Sequence, residues 1–342
     1  MQEIENLLIP WFLNNKRDLP WRKNVTAYTV YVSEVMLQQT RVETVIPYFN
    51  RFIEALPSFK DLALANDELL FKLWEGLGYY SRVKNMKKCA KVIMDEYNGI
   101  FPNDYNLAIK LPGIGSYTAG AILSRVYNQK LAAIDGNALR VLSRVNLDDS
   151  DISKEKTKKE YKIAIEKKLF DAKSFNEALM ELGATICTFK QYKCNICPLN
   201  QVCMAFKKNL VSSYPVKLAK VKNNPYEYSV LFITDGNDFI LVNKDNGVLK
   251  DLLAPILIDR FYNEADIYNY VSDNMQLEVK NVFHIKDCKH IFSHQTWYMK
   301  GFLVNVKSLK DYPHYSYNEI IDKISLAKAY KKIFESIENV CL

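Results

Sequence analysis

Four cysteines fall in one short segment, Cys187-x6-Cys194-x2-Cys197-x5-Cys203. No other feature restricts the fold as much. Thiols this close in sequence share one loop, and a loop that gathers four thiolates closes around a metal ion or the corners of an iron–sulfur cube. Left unligated, they would be an oxidation liability. Thiolate count does not separate structural zinc from a cluster. Cys89, Cys288 and Cys341 lie elsewhere, giving an odd total of seven. The acidic start MQEIEN lacks the charge pattern of a signal peptide, and no apolar run approaches the length of a membrane span. An odd count without an export signal argues against a disulfide framework. A cytoplasmic protein with no membrane partner is expected.

The rest of the chain supplies two kinds of periodicity. At 342 residues, 49% of them hydrophobic, it is long enough for two domains with their own cores. Up to about residue 210 there is no convincing run of period-two alternation, so the spacing predicts an all-helical region over 1–211. Helices are expected at 1–15, Ala27–Gln39, Asp67–Gly76 and Arg82–Tyr97. Thr40 with Glu43, and Ser174 with Glu177, read as capping boxes opening helices at Val42–Leu56 and Glu177–Ile186. Asp148–Glu160 reads as a polar, charged insertion. Residues 212–225, with two prolines and little apolar content, read as a linker. Beyond it a hairpin is expected at Tyr228–Thr234 and Phe239–Asn243 around Asp235-Gly236, then a strand at Trp297–Val306 and a helix at Ile320–Glu338. The fold class is therefore all-α followed by a smaller α+β domain at 226–342.

At the centre of the helical region lies Leu111–Arg140. Leu111-Pro112-Gly113-Ile114-Gly115 is a tight turn between two helical patterns, together a helix–hairpin–helix over 106–127. Two unobstructed glycine N–H groups at the positive end of a helix suit one phosphate oxygen. Alone, the turn would be a plain connector. Asp135-Gly136-Asn137 then interrupts an apolar run before the helical pattern Ala138–Val145, where Asp135 alone would be an ordinary N-cap.

Charge adds a partner. Residues 154–222 hold 15 lysines against 6 acids, a local net charge of +9 within a total of +7, which suits a polyanion. Glu34 is the single acid in a helix apolar on nearly every face. Burial should raise its pKa and keep it protonated, as a general acid requires; a structural pairing with Arg41 is the alternative. Asp135, at a helix N-terminus, should stay ionised.

The hairpin turn, the aspartate after it and the four-cysteine loop together resemble the endonuclease III superfamily of DNA glycosylases. Within it the sequence is similar to the MutY family, which removes adenine opposite 8-oxoguanine. Leu19-Pro20-Trp21-Arg22, followed by Val32-Ser33-Glu34-Val35-Met36-Leu37-Gln38-Gln39-Thr40, matches that family's N-terminal signature. Tyr117 stands where bifunctional relatives place a lyase lysine, and Phe292-Ser293-His294 resembles the family's lesion-reading loop. The resemblance is strong over 1–215 and weak beyond. Leu252-Leu253-Ala254-Pro255-Ile256 departs from the family's Trp-Glu-Phe-Pro-like segment.

The resemblance implies a 4Fe–4S cluster on Cys187, Cys194, Cys197 and Cys203 and a Nudix-like second domain. It also implies a monofunctional enzyme, expected to be a monomer, acting on double-stranded DNA with adenine opposite 8-oxoguanine. Glu34 would protonate adenine N7, while Asp135 would stabilise or trap an oxocarbenium-like sugar. Asn137 and Tyr117 would assist them. Arg22 would meet the flipped base, and Gln39 and Tyr79 would fill its gap, with Leu37 and Thr40 beside them. Gly113 and Gly115 would grip a phosphate. The rivals are an endonuclease III-like pyrimidine glycosylase with lyase activity and a non-enzymatic DNA-binding module with zinc.

Overall fold

The computed structural model describes residues 2–218, 224–244, 247–250, 252–292 and 295–337. Ser293 and His294 of the expected lesion-reading loop lie outside the described residues. The chain divides into two compact units, one of residues 1–64 and 84–219, the other of residues 65–83 and 220–342.

The first unit is helical throughout. It contains α1 (Gln2–Asn15), α2 (Ala27–Leu37), α3 (Val42–Ala55) and α4 (Phe59–Leu64). After α5 (Asp67–Trp74), which belongs to the second unit, come α6 (Ser81–Tyr97), α7 (Tyr105–Ala108), α8 (Ser116–Tyr127) and α9 (Gly136–Asn146). α10 (Glu155–Glu166), α11 (Ala172–Thr185) and α12 (Met204–Lys207) complete it. Every residue of α2 from Tyr28 to Met36 is buried, as an apolar surface all round the helix demands. A second core joins α1, α9 and α11 through Leu8, Phe12, Leu139, Leu142, Phe175, Leu179 and Leu182. Among the described residues no helix is long and apolar enough to cross a membrane.

Local chemistry moves several boundaries. α2 stops at Leu37, two residues before the expected Gln39. α3 starts from Arg41 without a side-chain cap, so the Thr40–Glu43 box does not form. α11 starts earlier than expected because Asp171 accepts the Ser174 N–H at 3.0 Å. Glu177 is thereby carried a turn into the helix, where its carboxylate meets arginines instead of capping. The charged insertion is the helix α10, whose Thr157, Tyr161 and Ile165 recur every four residues on the buried side.

The second unit is built on a sheet. Its strands are β1 (Asn224–Thr234), β2 (Asp238–Ile240), β3 (Val242–Asn243), β4 (Leu253–Ala254), β5 (Ile256–Asp259), β6 (Val279–Ile291), β7 (Gln295–Val306) and β8 (His314–Ser316). Among the described residues six strands form one sheet in the order β6-β7-β1-β2-β8, with β5 also paired to β1. β1 and β7 run parallel, and Thr234 opposite Phe239 closes the expected hairpin. α13 (Glu264–Asn274) packs Ile267 and Val271 with Phe302 and Val304. The expected helix over 320–338 is instead a pair, α14 (Tyr317–Asp322) and α15 (Lys328–Phe334). Residues 65–83, read from sequence as part of the helical domain, group here. Lys72 Nζ donates to the Ile321 carbonyl at 2.7 Å, the Tyr80 and Ser325 hydroxyls lie 3.0 Å apart, and Lys331 pairs with Glu75 at 2.8 Å.

Candidate active site

Three helices bring two acids together. α2 carries Glu34, only 5% exposed, and α8 presents Tyr117, whose hydroxyl donates to Glu34 Oε2 at 2.7 Å and lies 3.2 Å from Met180 Sδ. Asp135 caps α9: its Oδ1 accepts the Ala138 N–H at 2.7 Å, and its Oδ2 accepts the Asn137 side-chain amide at 2.7 Å. The two acids lie within electrostatic reach of each other.

Burial pushes the Glu34 carboxyl above the ordinary carboxylate range; the Tyr117 hydroxyl and Arg125 oppose that rise, while Asp135 and Glu177 add to it. This matches the sequence expectation. The expected Arg41 alternative fails, because Arg41 is exposed at the start of α3 and the side chains acting on Glu34 come from α8, α9 and α11. The Asp135 pKa is raised, because burial outweighs the Ala138 and Asn137 N–H donors and the Arg140 charge. The helix terminus restrains the shift without reversing it. Burial and the neighbouring carboxylates also hold the Tyr117 phenol well above its ordinary value, so it remains a neutral donor.

Asn137 is itself held. Arg140 Nη2 donates to Asn137 Oδ1 at 2.8 Å and to the Gly183 carbonyl at 2.7 Å, and its Nε donates to the Cys187 carbonyl at 2.8 Å. Gly183 has to be glycine: a Cβ there would lie 2.6 Å from Asn137 Cβ. The Arg22 guanidinium bonds Glu177 at 3.0 Å, Glu181 at 2.9 Å and the Arg17 carbonyl at 2.9 Å. Sequence reading missed Arg125, Glu177, Met180, Arg140 and Gly183. One signal was available for Arg125, a lone charge among Ala121, Ile122, Leu123 and Val126 that mirrors the isolation of Glu34 in α2.

The other expected residues occupy turns. Leu37 ends α2 half-buried, and Thr40 N–H donates to the Leu37 carbonyl at 3.3 Å. Gln39 is exposed with φ +56°, and Tyr79, 43% exposed in the second unit, has φ +50°. Left-handed backbone at residues other than glycine is a strained choice that recurs at ligand-contacting turns. Gly113 has φ +75°, and a Cβ there would meet Asn85 Cβ at 2.9 Å. Gly115 opens α8 without a side-chain cap. Phe292 packs edge-on against Trp297 with ring centroids 4.8 Å apart.

Cys187, Cys194, Cys197 and Cys203 line one pocket together with Val141, Arg144, Leu182 and Leu199. Fully buried Arg144 orders the start of this loop, donating to the Thr188, Phe189 and Tyr214 carbonyls and lying 3.3 Å from Cys187 Sγ. Among the described residues no three of these side chains are gathered closely enough for a single metal ion. Four thiols beside aliphatic side chains and the Arg144 guanidinium form a donor set that fits either a tetrahedral ion or a compact iron–sulfur cluster.

A helix–hairpin–helix fold holding a buried glutamate beside an N-cap aspartate defines a class, the base-excision glycosylases. Residues 32–167 match the HhH-GPD superfamily base excision DNA repair protein family. A thermostable thymine-DNA glycosylase structure shares the fold at TM-score 0.55 and 24% identity, over 59% of this chain and 94% of that one. The adenine DNA glycosylase of Buchnera aphidicola from Schizaphis graminum is 34% identical over 97% of this chain and 98% of its own. That of Buchnera aphidicola from Baizongia pistaciae is 35% identical over 88% and 86%. The chain belongs to the adenine DNA glycosylase family.

Proposed function

We propose that the protein is a monofunctional base-excision DNA glycosylase that hydrolyses adenine from double-stranded DNA, opposite 8-oxoguanine and also opposite guanine, and leaves an abasic site. The observation that carries this reading is the buried Glu34 carboxyl, whose pKa burial raises and whose Oε2 accepts a hydrogen bond from Tyr117. With Oε2 occupied by that donor, the acid proton belongs on Oε1, free to pass to adenine N7. Protonation turns adenine into a leaving group: the C1′–N9 bond breaks and its electron pair goes to the base. Asp135, fixed by Ala138 and Asn137, faces the positive charge that develops on the sugar. Water adds to C1′, and its proton returns to the Glu34 carboxylate.

The target atoms are unreachable in a stacked duplex, so the nucleotide must be flipped out, at a cost of about a few kcal/mol. Gln39, on a left-handed turn of the first unit with Leu37 and Thr40 next to it in sequence, is one wedge residue beside the gap, and Tyr79, on a left-handed turn of the second unit, is the other. The Gly113–Gly115 turn holds a phosphate without reading sequence. Arg22 acts on the base pocket through Glu177 and Glu181 rather than with a free guanidinium. The second unit, whose sheet begins at Asn224, is a Nudix-like lesion-reading domain, and Phe292-Ser293-His294 contacts the 8-oxoguanine. Cys187, Cys194, Cys197 and Cys203 would hold a 4Fe–4S cluster, which supplies a rigid charged loop near DNA rather than a reacting group.

The lyase reading is disfavoured because the Tyr117 hydroxyl cannot form a Schiff base. The test is incubation with duplexes carrying one adenine opposite 8-oxoguanine, guanine or thymine, with abasic sites counted. Release should be fastest opposite 8-oxoguanine and absent opposite thymine. Release of pyrimidines with strand cleavage would overturn the reading.

A further inference from the structure

Residues 65–83 carry the Tyr79 turn and group with the sheet-bearing unit. That turn is stiff. Gly76, Gly78 and Tyr79 have φ of +94°, +69° and +50°, and a left-handed tyrosine persists only where its surroundings over-determine it. Arg82 Nη2 donates to the Leu77 and Gly78 carbonyls, each at 3.1 Å, and the Trp74 indole donates to the Gly78 carbonyl at 3.0 Å. The Arg82 N–H donates to the Tyr79 carbonyl at 2.9 Å, and its guanidinium lies over the Tyr79 ring, 5.6 Å from the centroid. Anchors to the α14–α15 segment stand on both sides of Tyr79. Lys72 on the Ile321 carbonyl and Glu75 on Lys331 precede it, and the Tyr80 hydroxyl, 3.0 Å from that of Ser325, follows directly. The Lys331 side chain is 41% exposed, so water screens its pair with Glu75. Tyr80 and Ser325 are only 7% and 8% exposed, which makes their hydroxyl pair the stronger anchor.

Ser325 leads into α15, and α15 also backs the β6–β7 hairpin. Its Tyr330 ring lies 6.2 Å from that of Trp297, and Trp297 in turn meets Phe292. A Cβ on Gly301 of β7 would collide with Ile333 of α15. Trp297 and Tyr330 are fully buried. Phe292 opens the hairpin tip, where its N–H donates to the Gln295 carbonyl at 2.8 Å. Within the second unit one packed block therefore reaches from Phe292 to Tyr79, and close-packed interiors transmit a displacement instead of absorbing it. We propose that Tyr80 and Ser325 are positioning residues that couple the Tyr79 wedge to the Phe292 hairpin, so that the base met by the hairpin tip sets how firmly the wedge holds the gap. This rests on the reading of Tyr79 as a wedge and of Phe292 as part of the lesion contact. The source of the effect is the different contact the tip makes with 8-oxoguanine and with guanine. Part of the resulting preference is delivered at the wedge.

The test is single-turnover adenine release by the full chain from duplexes with adenine opposite 8-oxoguanine or guanine. Tyr80→Phe and Ser325→Ala each remove one hydroxyl and leave the packing nearly intact, so either variant decides the matter if the other folds poorly. Each should lower the preference for 8-oxoguanine about 3- to 10-fold, the scale of one buried hydrogen bond. Because both remove the same bond, the double variant should lose no more than either alone. In a Phe292→Ala background Tyr80→Phe should leave the remaining preference where it is, since the tip then has nothing to pass on. A merely structural role would instead slow both substrates by one factor and add its effect to that of Phe292→Ala; either result would overturn the proposal. A fluorine NMR line from 4-fluorophenylalanine placed at position 79 reports the anchor without DNA, and it should shift or broaden in both hydroxyl variants. Tyr79→Ala separates the two ideas. Parental release by Tyr79→Ala from both duplexes removes the wedge, and the proposal falls with it. Slowed release by Tyr79→Ala, beside an unmoved preference and fluorine line in Tyr80→Phe and Ser325→Ala, keeps the wedge and overturns the coupling alone.

Discussion

Gly183→Ala places a methyl group where α11 meets α9. The added carbon would lie 2.6 Å from Asn137 Cβ and 3.2 Å from the Asn137 Cα and carbonyl oxygen. Carbon atoms rest at about 3.5–4.0 Å, so the helices must part by about 1 Å. Neither neighbour can swing aside, because the contact is with Cβ and backbone. Overpacking of this kind costs about 1–3 kcal/mol, and each kcal/mol lowers the midpoint by about 2–4 °C in a unit of this size. Activity should suffer more than stability. The Gly183 carbonyl holds Arg140, Arg140 holds Asn137, and Asn137 holds Asp135, so the displacement reaches the acid. Misplacement by about 1 Å can cost about 100-fold in rate. Thermal melting and single-turnover adenine release on the same preparation measure both effects. A variant with a parental melting curve and parental rate would refute the claim that this glycine sets the geometry of Asp135.

Three further outcomes are expected. Borohydride added during turnover should trap little enzyme on DNA, since Tyr117 offers no amine; efficient trapping that survives replacement of Lys110 would return the assignment to the lyase branch. Replacing residues 292–294 by alanine should slow release opposite 8-oxoguanine far more than opposite guanine, by about 1–3 kcal/mol of lost discrimination; equal slowing would make the loop a general DNA contact. Purified protein should be straw-brown with about four irons per chain, and a colourless, zinc-loaded protein would rule the cluster out.

What could be read from the sequence follows from how local each cause is. α8 runs over Ser116–Tyr127 as its pattern predicts, because the turn before it and Asn128 after it are local signals. Glu34 stood out because a lone acid in an apolar helix has few explanations. The capping boxes failed for the opposite reason: the motif at 174–177 is as good as the Asp171 cap that displaced it, and the choice is made by which residues α11 buries. The ion pairs of Arg17, Arg22 and Arg125 with Glu177 and Glu181 join residues 52 to 164 positions apart, so no spacing reveals them. The raised pKa of Asp135 belongs to the same class. A helix dipole can be inferred from sequence, but the degree of enclosure that outweighs it cannot. Residues 65–83 carry helical periodicity like their neighbours and give no sign that they pack with Ile321, Ser325 and Lys331.

The central claim divides the chemistry between two carboxyl groups, one giving a proton and one facing the sugar cation. Single-turnover adenine release by Glu34→Gln and Asp135→Asn, with duplex affinity measured alongside, tests it most directly. Each variant should bind the mismatched duplex nearly as well as the parent and lose roughly 100-fold or more in release, the range expected for a general acid. Near-parental release by either variant would remove that residue from the mechanism.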